Sequence, residues 1–137
     1  MNPSIQNGKH LINSKVKQRE WFRPFGASVL EEHTHNYFKC NYKSEYMLYV
    51  TDVLDKNKFN SITHVDGTCR IQTVGTKLDV YKRLLDCFYK LTGIPLLLNT
   101  SMNINGRPIA SRYIDALELF TKSNLDVLVI GDEIYKK

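Results

Sequence analysis

The sequence has no apolar run long enough to cross a membrane: "IPLLLN" and "LDVLVIG" fall far short of the roughly 20 residues a spanning helix needs. The opening "MNPSIQNGKH" lacks the charged-then-apolar order of a secretory signal, which predicts a cytoplasmic chain with no membrane partner. Cysteine is scarce as well. Cys40, Cys69 and Cys87 are three, an odd number without CxxC spacing, and read as reduced thiols rather than a disulfide framework or a zinc site. His10, His33, His35 and His64 have no HExxH or CxxC companion, so no metal site is predicted. GxGxxG and Walker phosphate loops are absent, and without a GxSxG elbow Ser101 has no motif support as a hydrolase nucleophile. No internal repeat, low-complexity tract or Pro/Ser-rich linker interrupts the chain.

What remains is the composition of an ordinary globular protein: 137 residues, 42% hydrophobic and 24% charged. That length predicts a single domain, residues 1–137, with a core of its own. Nineteen Lys and Arg against fourteen Asp and Glu leave a formal charge of +5, which favours anionic partners such as phosphates, nucleotides or nucleic acid. Periodicity predicts a helix in "KHLINSKVKQ" and a second, capped by Ser28, with Glu31 and Glu32 in its first turn. Strands are expected at "EYMLYVTDV", "SITHV" and "CRIQTV", the last two joined as a hairpin by Asp66-Gly67. The best helix is 78–92, where Leu78, Tyr81, Leu84, Leu85, Phe88 and Leu91 recur at three and four residues before Gly93 and Pro95 stop it. "PLLLN" reads as a strand, about 112–122 as a helix and "DVLVIG" as a buried strand. This order predicts a mixed α/β (α+β) sheet with helices packed on it.

Three segments could carry chemistry. In "KVKQREWFRPF", Lys15, Lys17, Arg19 and Arg23 interleave with Trp21, Phe22 and Phe25. Extended from Lys17, the segment would line Lys17, Arg19, Trp21 and Arg23 on one face, a cationic strip suited to phosphate; the plainer alternative is a basic surface helix followed by an aromatic anchor. In "ITHVDGTCRIQTV", Asp66 could orient His64 on a shared strand face, or could serve the turn alone. In "LLLNTSMNINGRPI", the leucines run into Asn99, Thr100, Ser101 and Asn103, with Gly106 allowing a tight turn. Such small polar groups at a strand's carboxyl end suit a ligand floor or, equally, backbone capping.

Taken in order, "NSKVKQREWFRPFGASVLEE", "ITHVDGTCRIQTV", "TGIPLLLNTSMNINGRPI" and the tail "DALELFTKSNLDVLVIGD" resemble the carboxyl-terminal domain of the NodU-type O-carbamoyltransferases, over nearly the whole chain from about residue 11. The resemblance implies a YrdC-like twisted mixed sheet with packed helices. Lys17-Gln18-Arg19 resembles the superfamily's K-x-R element and Thr100-Ser101-Met102-Asn103 its T-S-x-N element. It implies ATP, with Mg2+ as its companion, and carbamoyl phosphate as substrates, activated to carbamoyl-adenylate and pyrophosphate. An amino-terminal carbamoyltransferase domain, in cis or in trans, would then move the carbamoyl group to a substrate hydroxyl, and that domain rather than this chain would bind the family's metal.

On that reading Lys17, Arg19, Arg70 and Ser101 are the candidate catalytic residues, and Arg23, His64, Asp66, Thr73, Asn99, Thr100 and Asn103 the substrate- and nucleotide-binding ones. The sequence departs from the family at Met102, Cys69, Arg107 and Gly26-Ala27. A preceding "LGNRSIL"-like segment is also missing, so a truncated or excised domain is expected. Two rivals stand beside this reading: a basic nucleotide- or RNA-binding module without catalysis, and a structural remnant docking on a partner chain. The core-like periodicity of Trp21, Phe25, Phe88 and Phe120 argues against nucleic acid, which needs exposed aromatics for base stacking.

Overall fold

Between Thr68 and Val74 apolar residues alternate with polar ones, and in the computed structural model, which describes residues 1–137, this stretch is the long strand β3, Thr68–Val74. It lies in a four-stranded mixed sheet with β1 (Gly26–Leu30), β2 (Val50–Asp52) and β4 (Leu96–Asn99), in the order β2-β3-β1-β4. β1 runs parallel to β3 and antiparallel to β4, and β2 pairs antiparallel with β3. The chain divides into two compact units, residues 1–8 with 24–100 and residues 9–23 with 101–137.

The first unit is built on this sheet. Register sets its packing: Ile71, Ala27 and Leu98 form one cross-strand row and Thr73, Val29 and Leu96 the next, all buried. The opposite face receives α2 (Asp79–Thr92), whose Leu85 joins Leu30 and Val74 in a cluster flanked by Tyr81, Tyr89 and Leu97. Gly93 ends α2 at φ +70°, and its N–H bonds the Tyr89 carbonyl at 2.7 Å, as its position before Ile94-Pro95 predicts.

The second unit takes up the chain at Lys9, within a helix that runs through Gly8–Leu11 (α1) and widens to π-helical pitch over Ile12–Lys17. Its other regular elements are α3 (Tyr113–Lys122) and a hairpin of β5 (Val127–Ile130) with β6 (Glu133–Lys136). Asp115 accepts the Arg112 backbone N–H at 3.0 Å, closing the start of α3. Ala116, Phe120 and Leu128 form this unit's small core, with Met102, Leu125 and Tyr135 around it.

Several local expectations are corrected. Residues 26–30 form the buried strand β1, not a helix capped by Ser28, and the helical turns after it, Glu31–Asn36, are 3-10 in pitch. A strand covered on both faces loses the period of two that would identify it. "EYMLYVTDV" contributes only Val50–Asp52, because Met47 adopts φ +56° and breaks the extended run. "SITHV" is a series of turns rather than a strand. The Asp66-Gly67 turn exists, with His64 N–H on the Thr68 carbonyl at 2.8 Å, but β3 takes β2 as its antiparallel partner instead. β5 is buried only at Leu128.

Leu85 is 0% exposed while Leu91, on the same predicted face, is 85% exposed. Leu85→Ala should therefore lower the unfolding free energy by about 2–5 kcal/mol, and Leu91→Ala should change it by no more than about 0.5 kcal/mol. Urea midpoints at unchanged slope check both. Nothing lies within 4 Å of a side chain at Gly93, so Gly93→Ala should cost about 1–2 kcal/mol through the left-handed backbone alone.

Candidate functional site

The second unit gathers the sequence's basic loop and part of its polar stretch into one cluster. Lys17, at the end of the π-helical turns, is only 2% exposed. Its ammonium donates to the Ser101 carbonyl at 2.6 Å, to the Asn103 Oδ1 at 2.6 Å and to the Ser101 Oγ at 3.2 Å. Ser101 Oγ in turn donates to the Asn103 Oδ1 at 2.7 Å, and the Asn103 amide bonds the Arg107 carbonyl at 2.8 Å. The Asn105 N–H on the Lys17 carbonyl, at 2.8 Å, ties the two segments together again. A buried ammonium persists only where oxygens replace its water, and three oxygens here do so. Burial, followed by repulsion from Arg19 and Arg23, lowers the Lys17 pKa to about 8.

Past Lys17 the chain does not extend as a strand, so the cationic strip of alternating residues does not form. Gln18 turns left-handed at φ 51° and ψ 51°, and Arg19 folds back so that its N–H meets the Asn13 carbonyl at 2.9 Å. Arg19 Nε donates to Asn13 Oδ1 at 2.6 Å, while Arg23 pairs with Glu20 at 3.5 Å and reaches the Asn105 Oδ1 at 3.2 Å. Burial, then the charge of Arg23, lowers the Arg19 pKa. Trp21 and Phe22 are 66% and 58% exposed, packed edge to face, so core periodicity misplaced Trp21; Phe25 and Phe120 are buried as expected. Alongside, a cavity of about 670 Å3 is lined by Gln18, Met102, Asn103, Arg107 and Pro108 together with α3, a size that suits a small ligand. Arg112 with Asp115 and Lys122 with Glu118 form ion pairs along its wall.

The first unit holds the other sequence-predicted residues. Arg70 and Asn99 face one another across Gly26 in a single row of the sheet. A Cβ on Gly26 would stand 2.3 Å from the Met47 methyl, so the glycine admits that side chain to the row. Asn99 Nδ2 donates to Ser28 Oγ at 2.8 Å and Gln72 Oε1 at 3.0 Å, and Gln72 donates to the Glu45 carbonyl at 3.3 Å. Ser28, expected as a helix cap, and Gln72, its neighbour in register, are not among the site residues the sequence predicts. Gln72 follows Arg70 at the period of two and could have been found from it.

His64 has both ring nitrogens engaged, Nε2 with the Phe25 carbonyl at 3.1 Å and Nδ1 with the Thr68 hydroxyl at 3.3 Å. Asp66 does not orient it. Its carboxylate accepts the Thr68 hydroxyl at 2.7 Å and the Thr68 N–H at 2.9 Å, and these bonds hold its pKa below the ordinary carboxylate value. Thr73 is buried and accepts the Ser44 N–H at 2.9 Å; Thr100 is exposed. No group of three His, Cys, Asp or Glu side chains converges as a metal site.

Comparison with known proteins gives the cluster a context. The chain is 40% identical over 141 residues to the nodulation protein NolNO of Sinorhizobium fredii, covering 98% of this chain and 21% of that protein. It is 39% identical to the nodulation protein NolO of Bradyrhizobium diazoefficiens, covering 98% of this chain and 26% of that one. A third relative is the 3'-hydroxymethylcephem-O-carbamoyltransferase of Amycolatopsis lactamdurans, 32% identical over 90% of this chain and 24% of that protein. The chain thus spans about a fifth to a quarter of the length of these curated relatives. A family model described as Carbamoyltransferase C-terminus matches residues 1–137, the basic loop, the β3 segment and the 99–107 stretch included, and the chain belongs to that family.

Proposed function

We propose that this chain is the adenylate-forming part of an O-carbamoyltransferase: it binds ATP and carbamoyl phosphate and makes carbamoyl-adenylate, which an amino-terminal transferase domain passes to a substrate hydroxyl. The observation that carries this reading is the Lys17–Ser101–Asn103 cluster with Arg19 and Arg23 on the adjoining loop. Relatives bearing carbamoyltransferase names support the reaction class.

The chemistry asks for cations and hydrogen-bond donors rather than a nucleophilic side chain. Carbamoyl phosphate loses its phosphoryl group to water, giving carbamate and inorganic phosphate. A carbamate oxygen then forms a bond to the α-phosphorus of ATP, the bond to the bridging oxygen of the β-phosphate breaks, and pyrophosphate leaves. Negative charge builds on the phosphate oxygens in that step, where fixed guanidinium groups and oriented N–H and O–H donors stabilise it. Arg19 and Arg23 are the proposed phosphate ligands of the second unit, with Ser101 and Asn103 at the phosphate or carbamoyl oxygens. Arg70 is the first unit's proposed cation, and Asn99 its proposed amide. Lys17 spends its three N–H bonds on residues 101–103, so its charge acts on the anion through the loop it holds. Mg2+ arrives on the ATP phosphates rather than in a protein cage.

A second reading draws on one specific observation. Exposed Trp21 and Phe22 among Arg19, Arg23 and Lys15 are the ingredients of a single-strand nucleic-acid surface. Binding of that kind would weaken steeply with salt and would survive loss of Ser101, whereas the adenylate reading requires Ser101.

Arg19→Ala and Ser101→Ala should each raise the KM for ATP about tenfold or more in pyrophosphate release by this chain joined to its transferase domain; Ser101→Ala, which also removes one of the oxygens around the Lys17 ammonium, should lower the melting temperature as well. Unaltered kinetics in both would overturn the assignment. ATP binding should also weaken as pH rises through about 8, where the Lys17 ammonium loses its proton. Stability should move the other way. Between about 8 and the ordinary lysine value of 10.5 the unfolded chain retains a proton the folded chain has released, so this group favours folding more as pH rises. In Lys17→Met both dependences should vanish, read by calorimetric titration of ATP and by urea unfolding across pH 7 to pH 10.

A further inference from the structure

Asn13 is a polar residue with 0% exposure, and its side chain is turned wholly to the loop that follows its helix. The amide nitrogen donates to the Trp21 carbonyl at 3.0 Å and the Arg23 carbonyl at 2.9 Å; Oδ1 accepts Arg19 Nε–H at 2.6 Å. The Asn13 backbone carbonyl accepts two further N–H groups, those of Gln18 and Arg19. One side chain therefore fixes both ends of the 19–23 loop, and the main chain beside it stabilises the left-handed turn at Gln18.

We propose that Asn13 is the positioning residue for Arg19, orienting the guanidinium that meets the anionic substrate; the identity of that substrate rests on the ATP reading above. Nε is the one guanidinium nitrogen attached to the side-chain stem, so a short bond to it fixes the plane in which the group can accept a bidentate phosphate. A neutral acceptor suits the task. Burial and Arg23 already disfavour charge at Arg19, and an amide oxygen steadies the guanidinium without neutralising it. The two carbonyls of Trp21 and Arg23 explain why the residue is not aspartate: both need donors, and a carboxylate offers only acceptors. Asn13 touches Arg23 only at its main-chain carbonyl, while the Arg23 side chain is held by Glu20 and Asn105, so the guanidinium that Asn13 itself orients is that of Arg19.

The test uses the whole chain labelled with 15N. The Arg19 Nε–H signal, assigned by its loss in Arg19→Lys, should exchange slowly in the wild type and rapidly in Asn13→Leu. Mg-ATP titrated by calorimetry should bind about tenfold more weakly to Asn13→Leu, matching Arg19→Ala, and the double variant should bind no more weakly than Arg19→Ala. Where Asn13→Leu does not fold, Asn13→Ala takes its place with the same expectations. The proposal is overturned by a folded variant that keeps the slow Arg19 signal, by ATP affinity within twofold of wild type while Arg19→Ala is impaired, or by effects that multiply in the double variant. A wild-type chain that binds no Mg-ATP sinks the ATP reading instead, and the exchange measurement still decides whether Asn13 positions Arg19.

Discussion

The second unit depends on one buried positive charge. Lys17 brings an ammonium into a site with almost no solvent, and the chain answers by folding residues 101–103 around it. Removing any of those oxygens would leave an under-solvated cation, which costs far more than an ordinary surface hydrogen bond. The constraint works in both directions. A loop of small polar residues with little apolar surface has few other means of holding a single shape, and a lysine supplies it with three anchors at once.

The same economy governs the basic loop. Charges at Arg19 and Arg23 repel one another, and a free segment carrying them would spread apart in water. The Asn13 amide clasps its carbonyls, and Glu20 pairs with Arg23 on the outside. A neutral dipole thus holds Arg19 without an opposing charge, while Arg23 is partly offset by Glu20. In the first unit the polar residues of the sheet are linked differently. Ser28, Gln72 and Asn99 bond to one another along neighbouring strands, so their geometry follows from strand register.

Much of this was legible in the sequence, for physical reasons that differ from place to place. α2 was readable because Tyr81, Leu85, Tyr89 and the Gly93 stop follow helical spacing and stop chemistry together. α3 was readable in the same way, and β4 from its short apolar run. β1 was not: Ala27, Val29 and Leu30 sit in the middle of a sheet, where burial on both faces erases the alternation that marks a strand. β6 was missed although Gly131-Asp132 between "VLVI" and "EIYK" is a two-residue turn signal. At the candidate site, residue types pointed to Lys17, Arg19, Ser101 and Asn103, but the contact of Lys17 with Ser101 spans 84 positions in sequence. No local pattern encodes such a pairing. Trp21 illustrates the converse, since its neighbours suggested an apolar anchor and tertiary packing left it in solvent.

The strand order carries a consequence for how the first unit comes into being. β1 precedes both of its partners in the chain, β3 and β4, and the pairings join Gly26 to Arg70 and to Asn99. Neither neighbour can form by closing a short turn, and the parallel pairing with β3 requires a long excursion of chain first. Such distant contacts slow folding, because the entropy of closing the large loop is lost before the sheet returns any energy. While it waits, Ala27-Ser28-Val29-Leu30 is an apolar segment with both backbone edges open. Within this unit, vulnerability to aggregation is therefore greatest in the interval between emergence of β1 and arrival of β4.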